Sequence, residues 1–163
     1  MQLSKNFSKA ELCKSQTATR MGLNNNPTDD QTENLRLLCE RVLQPVRDHF
    51  NQVVTISSGF RDPILSVKIG SSIDSQHCKG EAADLEIFNV ANNELADWIK
   101  ENLMFDQLIL EYFEPGQPNS GWVHVSYTKE IKANRKEYLM ATKKDGKTQY
   151  KQILGLSTDR YVK

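Results

Sequence analysis

The sequence predicts an α+β fold, with helices early in the chain and a mostly antiparallel sheet late. Three observations point there. Two capped, helix-periodic segments occupy the first 50 residues. Short β-branched or alternating runs begin near residue 53. Two of these runs, Phe105–Tyr112 and Trp122–Tyr127, flank Phe113–Gly121, a stretch rich in Pro, Gly, Asn and Ser that reads as a hairpin connection. At 163 residues and 18.6 kDa the chain has the size of one domain. It is long enough to bury a core without disulfide staples.

The elements follow in order. Ser8-Lys9-Ala10-Glu11 has the spacing of a capping box, a side-chain acceptor followed three residues later by Glu. Thr28-Asp29-Asp30-Gln31 repeats the signature after Pro27, and its two acids sit where a helix N-terminus favours negative charge. Leu35, Leu38, Cys39, Val42, Leu43 and Val46 continue at helical spacing. Pro45 is expected to kink that helix or interrupt its hydrogen bonding. Val53–Ile56 is a short β-branched strand. Ala83–Phe88 is a second, with Leu85 and Ile87 on one face and Asp84 and Glu86 on the other. A third helix runs from Asn93 to about Asn102, with Leu95, Trp98 and Ile99 on one side. Residues 129–163 read more weakly, with short strands expected at 137–142 and 148–154.

The net charge is zero but unevenly spread. Residues 1–128 hold 11 basic and 17 acidic residues, whereas residues 129–163 hold 10 and 4. A basic C-terminal segment on an acidic body suggests an anionic partner for the segment; a solvated terminus is the plainer alternative. No stretch approaches 18 uncharged apolar residues, so no membrane insertion is expected. The N-terminus, Met1–Ser15, lacks the apolar centre of a signal peptide, so synthesis in a cytoplasm is expected. Cys13, Cys39 and Cys78 are too few and too irregularly spaced for a disulfide framework or a zinc knuckle. No Gly-rich phosphate loop is present, and neither nucleotide chemistry nor a nucleic-acid partner is supported.

Chemistry concentrates in Ser75–Asp84 and Trp122–Tyr127. His77 and Asp84 lie seven residues apart, the second entering a strand. Strand alternation groups His124 with Trp122 and Ser126, opposite Val123 and Val125. Two His and a carboxylate suit a catalytic zinc site, because three protein ligands leave a fourth position for water. Spacing alone favours the plainer reading, a capped loop His and a satisfied strand His. Cys78 reads as a small buried hydrophobe, and His49 as a cation-tolerant residue at a helix C-terminus. Ser57 and Ser58 lack the partners of a serine triad.

Ser75-x-His77-x-x-Gly80-x-Ala82-x-Asp84 followed by Trp122-x-His124 resembles the zinc D-Ala-D-Ala peptidases and peptidoglycan endopeptidases of the M15 family. Further stretches resemble its small phage-type branch. They are Leu3-Ser4-x-Asn6-Phe7, Asn34-Leu35, Val42-Leu43-x-Pro45-Val46-Arg47, Ser57-Ser58-Gly59-Phe60-Arg61 and Phe105-Asp106-Gln107-Leu108-Ile109-x-Glu111. The resemblance implies a Hedgehog/DD-peptidase-like fold, a small antiparallel sheet flanked by helices. It implies a zinc peptidase domain over residues 1–135, with 136–163 a basic extension packed on it or trailing from it. It implies one Zn²⁺ on His77, Asp84 and His124. Arg61 would hold a substrate carboxylate or the oxyanion. Ser75 and Gln76 would support His77 or contact substrate, and Trp122 would line the cleft.

The implied reaction is hydrolysis of peptide bonds in peptidoglycan stem peptides, by D-Ala-D-Ala carboxypeptidase or L-Ala-D-Glu type endopeptidase action. A monomeric phage endolysin is expected, made in the host cytoplasm and acting on the wall after release. One departure stands out. Several family members carry an acid three residues before the last His, where this chain has Gly121. Glu111 is the expected general base, with Glu114 and Glu81 in reserve. A catalytically inactive, zinc-stabilised wall-binding or virion structural protein is the alternative, and a dipeptidase on the same scaffold a third.

Overall fold

The computed structural model describes residues 1–154. The last nine residues of the basic segment therefore lie outside the described residues. The chain begins with a two-stranded antiparallel ribbon, β1 (Gln2–Ser4) and β2 (Phe7–Ser8). Leu3 and Phe7 drive it into the core. The turn between them is tied to a later helix, because the Gln44 carboxamide oxygen accepts from the Ser4 hydroxyl and the Asn6 N–H, at 2.8 and 2.9 Å.

Helix α1 (Lys9–Leu12) is capped as expected, with Ser8 Oγ accepting from Glu11 N–H at 3.2 Å. Helix α2 (Gln16–Met21) starts at the Ser15 cap. Helix α3 (Asp29–Leu38) opens with the full capping box: Thr28 accepts from Gln31 N–H, and the Gln31 side chain accepts from Thr28 N–H at 2.8 Å. It then widens into one π turn (Cys39–Leu43) before α4 (Gln44–Phe50). The widening has a cause two residues on. Pro45 has no N–H and its ring crowds the preceding turn, and a π turn absorbs both defects without ending the helix. Burial resumes through Val46.

Among the described residues the main sheet has six strands in the order β3-β4-β6-β5-β7-β8. They are β3 (Val54–Ser58), β4 (Ala82–Ile87), β5 (Gln107–Glu111), β6 (Trp122–Ser126), β7 (Glu137–Lys144) and β8 (Lys147–Gln152). All neighbours are antiparallel except β5 and β7. The architecture is α+β as the sequence predicts. The short strands expected at 137–142 and 148–154 form as β7 and β8 and widen the sheet by two. Between β3 and β4 lie α5 (Pro63–Lys68) and a 3₁₀ turn (Gln76–Lys79). Helix α6 (Asn92–Asn102) crosses from β4 to β5.

Alternation divides the sheet. Leu85, Ile87, Leu108, Leu110, Val123 and Val125 are buried in one core with α3, α4 and α6. Each fully buried aliphatic side chain contributes about 1.5–3 kcal/mol. Tyr138 of β7 joins that core and donates its hydroxyl proton to Asp97 of α6 at 2.7 Å. His49 stacks on Trp98 with ring centroids 4.3 Å apart, the structural role its position suggests. The other face of the sheet carries Asp84, His124, Ile109 and Glu111, and it opens to a cavity. Among the described residues no helix is long and apolar enough to cross a membrane.

Candidate metal centre

His77 sits in the 3₁₀ turn, and that turn is held from three sides. Ser75 Oγ caps it by accepting from His77 N–H at 3.2 Å. Helix α3 grips it through Gln31, which donates to the Cys78 carbonyl at 3.1 Å, and Asn34, which donates to the Lys79 carbonyl at 2.9 Å. On the opposite side Gln76 donates to Asp106 Oδ2 at 2.7 Å. Asp106 is itself clamped by Arg135, whose Nε and Nη2 donate at 2.9 and 3.0 Å. This fork onto a carboxylate is the strong, orienting form of an ion pair. It and the Gln76 bond hold the Asp106 carboxyl below its usual range although burial opposes them.

The tautomer of His77 is fixed by the backbone. Its Nδ1–H donates to the Gly59 carbonyl at 2.8 Å, which leaves the Nε2 lone pair facing the cavity. Gly59 is where the chain passes under α1. A Cβ there would lie 2.2 Å from the Leu12 carbonyl oxygen, so only glycine brings this carbonyl close enough.

Asp84 and His124 come from adjacent strands and are direct cross-strand partners in the β4–β6 register. Asp84 Oδ1 lies 3.1 Å from His124 Nδ1 and 3.4 Å from His77 Nε2. The His77 and His124 rings meet edge to face at 5.1 Å. One ligand atom from each of the three residues lies within 4.8 Å of the others. Tetrahedral coordination with bonds of about 2.0–2.1 Å requires ligand atoms roughly 3.3 Å apart. The triad therefore fits one zinc-like ion, with the Nε2 lone pair of His77 and the Asp84 carboxylate facing it. Burial would raise the Asp84 carboxyl, but the hydrogen bond from His124 and the nearby His77 ring outweigh it and hold the carboxyl below its usual range.

Glu111 lies on the same face, one cross-strand pair along from His124: Ile109 faces His124, and Glu111 faces Trp122. Burial pushes its carboxyl above the usual range, with the Asp84 charge adding to the rise and His124 opposing it. Glu114 sits outside on the β5–β6 connection, where its N–H donates to Ser120 Oγ. Neither Glu114 nor Glu81 borders the cavity. Gly121, three residues before His124, has no room for a side chain. It adopts φ +62°, and a Cβ on it would overlap the Glu111 carbonyl.

The cavity measures about 590 Å³ and holds the triad together with Arg61, Ser75, Gln76, Glu111 and Trp122. Apart from the reserve acids Glu114 and Glu81, every site residue singled out from sequence thus borders one space. Ser75 and Gln76 also spend their polar atoms on the turn itself. Arg61 donates to Ser58 Oγ at 3.2 Å and stands between this space and a neighbouring cavity of 520 Å³. Cys78 is buried, and its thiol turns toward the Ser72 carbonyl at 3.7 Å. All three cysteines are free. Sequence reasoning passed over Asp106, Arg135 and Tyr150. Asp106 lies inside a stretch already singled out; Arg135 and Tyr150 reach the cavity only through the strand order.

A family model described as Peptidase M15 matches residues 5–126. A search of curated proteins finds no match.

Proposed function

The chain belongs to the peptidase M15 family, and we propose from this that it is a zinc-dependent hydrolase of peptidoglycan stem peptides, acting as a phage endolysin. The family supports a metallopeptidase. The observation that carries the reading is the convergence of His77, Asp84 and His124 with a separate carboxylate, Glu111, in one cavity.

His77, Asp84 and His124 would hold the ion. Bound there, it would supply Lewis-acid polarisation of the scissile carbonyl and a more acidic water. The remaining steps belong to the chain. Glu111 takes a proton from the attacking water and returns it to the departing amine, a role suited to a carboxyl that burial raises above its usual range. Arg61, at the junction of the two cavities, holds a substrate carboxylate or the developing oxyanion. Trp122 offers a flat wall for the peptide, and Ser75 and Gln76 border the same side as His77. The neighbouring cavity beyond Arg61 gives room for a peptide that continues past the cleaved bond.

The basic C-terminal segment would hold the enzyme on anionic wall polymers by salt-sensitive attraction. Its strands are part of the sheet, so the test keeps them: Lys143, Lys144 and Lys147, exposed at the β7–β8 turn, are replaced by Gln. Binding to whole walls should weaken at low salt and be little changed at high salt. Equal binding throughout would remove the segment from wall attachment.

The decisive experiment digests purified peptidoglycan with and without a chelator and identifies the fragments by mass spectrometry. Chelator-sensitive new peptide ends establish the activity and name the bond. No cleavage of several wall chemotypes by zinc-loaded protein would favour a non-catalytic wall-binding role.

A further inference from the structure

The family match ends at residue 126, yet two residues beyond it, Arg135 and Tyr150, border the metal cavity. Tyr150 arrives there by register. Trp122 of β6 lies opposite Glu111 of β5, Glu111 is level with Ala141 of β7, and Ala141 lies opposite Tyr150 of β8. One row thus crosses four strands with its side chains on a single face. Ala141 is the small member and is fully buried. Its methyl leaves the space across which the Tyr150 ring faces Glu111.

Tyr112 fastens this hairpin to the cleft. It adopts φ +56°, a costly conformation for an aromatic residue. From that position its N–H donates to the Ala141 carbonyl at 2.8 Å. Its phenol shares a 2.6 Å hydrogen bond with Thr148 Oγ1. Its ring packs at a tilt on Trp122, with centroids 5.5 Å apart. The strained residue therefore binds β7, β8 and the cavity wall at once. Tyr150 itself is 58% exposed and free to meet a ligand. Burial and the neighbouring Glu111 and Tyr112 keep its phenol protonated, so it is a hydrogen-bond donor.

We infer that the β7–β8 hairpin is a working wall of the metal cleft and that Tyr150 is a specificity-determining residue, donating to a peptide carbonyl or carboxylate oxygen on the Glu111 side. The inference rests on the peptidase reading above. The test compares zinc-loaded wild type, Tyr150→Phe and Tyr150→Ala on two probes, the stem pentapeptide L-Ala-γ-D-Glu-L-Lys-D-Ala-D-Ala and its all-L, α-linked counterpart. Tyr150→Phe should lower kcat/KM on the preferred peptide by roughly 5–20-fold, mainly through KM, as loss of one hydrogen bond does. Tyr150→Ala should lose more and shift the preference between the two peptides, with bound zinc unchanged in both. Both variants within twofold of wild type in kcat/KM and in preference would overturn the inference alone. Wild type that cleaves only the all-L peptide would overturn the wall-peptide reading alone, and Tyr150 is then judged on that peptide. Wild type that cleaves neither would overturn both.

Discussion

A side chain on Gly121 would begin 1.8 Å from the carbonyl oxygen of Glu111. The two residues therefore exclude each other's alternatives. Position 121, three residues before His124, is closed to any Cβ here, and the carboxylate that borders the triad stands on the facing strand.

Glu111→Gln should lower turnover about 10²–10⁴-fold, the usual range for a positioned proton-transfer group. Bound metal should stay at one equivalent. Gly121→Glu added to that variant should not restore activity, because the new side chain must first displace the β5 backbone. Gly121→Ala alone should lower the unfolding midpoint, since the left-handed conformation costs an L-residue roughly 1–2 kcal/mol before any overlap is counted. Recovery of turnover in the double variant would show that the strand ends rearrange easily and would return the base role to position 121.

Zinc should stabilise the fold through the triad. An ion that binds only the native state adds about 2.7 kcal/mol at a hundredfold excess over its Kd. Thermal unfolding of wild type should therefore shift upward with zinc and return with a chelator. Asp84→Asn should lose most of that shift, because a neutral amide cannot replace the carboxylate between His77 and His124. A zinc shift of wild-type size in this variant would place the binding site elsewhere.

These sites differ in how far sequence could reveal them. His77, Asp84 and His124 were legible through the family resemblance of the motifs that carry them; alternation and spacing alone placed His124 and Asp84 on strand faces without making them ligands. The Thr28 cap and the β5–β6 pair were legible because their signals are local. Helix α5 carried an unread signal: Asp62 Oδ1 accepts from Ile64 N–H at 2.9 Å, and Pro63 opens the first turn. Other features have no local signal at all. Tyr150 meets the cleft only because β7 runs parallel to β5, a pairing between strands distant in sequence. The Gly59 carbonyl fixes His77 only because α1 lies beneath it, and no motif announces a backbone acceptor.

The Asp106–Arg135 pair should give stability a pH dependence. The folded Asp106 carboxyl is held low by Arg135 and Gln76. A depressed folded value means its contribution is present above the unfolded value of about 3.9 and is lost as pH falls through the folded value. Asp106→Asn should therefore cost on the order of 1–2 kcal/mol at neutral pH, and the difference from wild type should shrink below about pH 4. Denaturant midpoints at pH 7 and pH 3.5 measure it. A difference that does not change with pH would mean that the pair contributes packing and not charge.

Glu11 should have the opposite sign. Its N–H is capped by Ser8, but its Oε1 is buried with no hydrogen-bond partner among the described residues, and burial raises its carboxyl. A raised folded value means the favourable contribution is complete below the unfolded value and is lost as pH rises through the folded one. At neutral pH the ionised group thus opposes folding. Glu11→Gln keeps the shape and removes the charge, and a neutral amide is cheaper to bury than a carboxylate. The variant should be more stable than wild type at pH 7.5 and nearly equal to it at about pH 4, near the unfolded value. Urea midpoints at the two pH values decide it. A variant less stable than wild type at pH 7.5 would mean that ionised Glu11 is held by a partner, and that the buried oxygen does not oppose the fold.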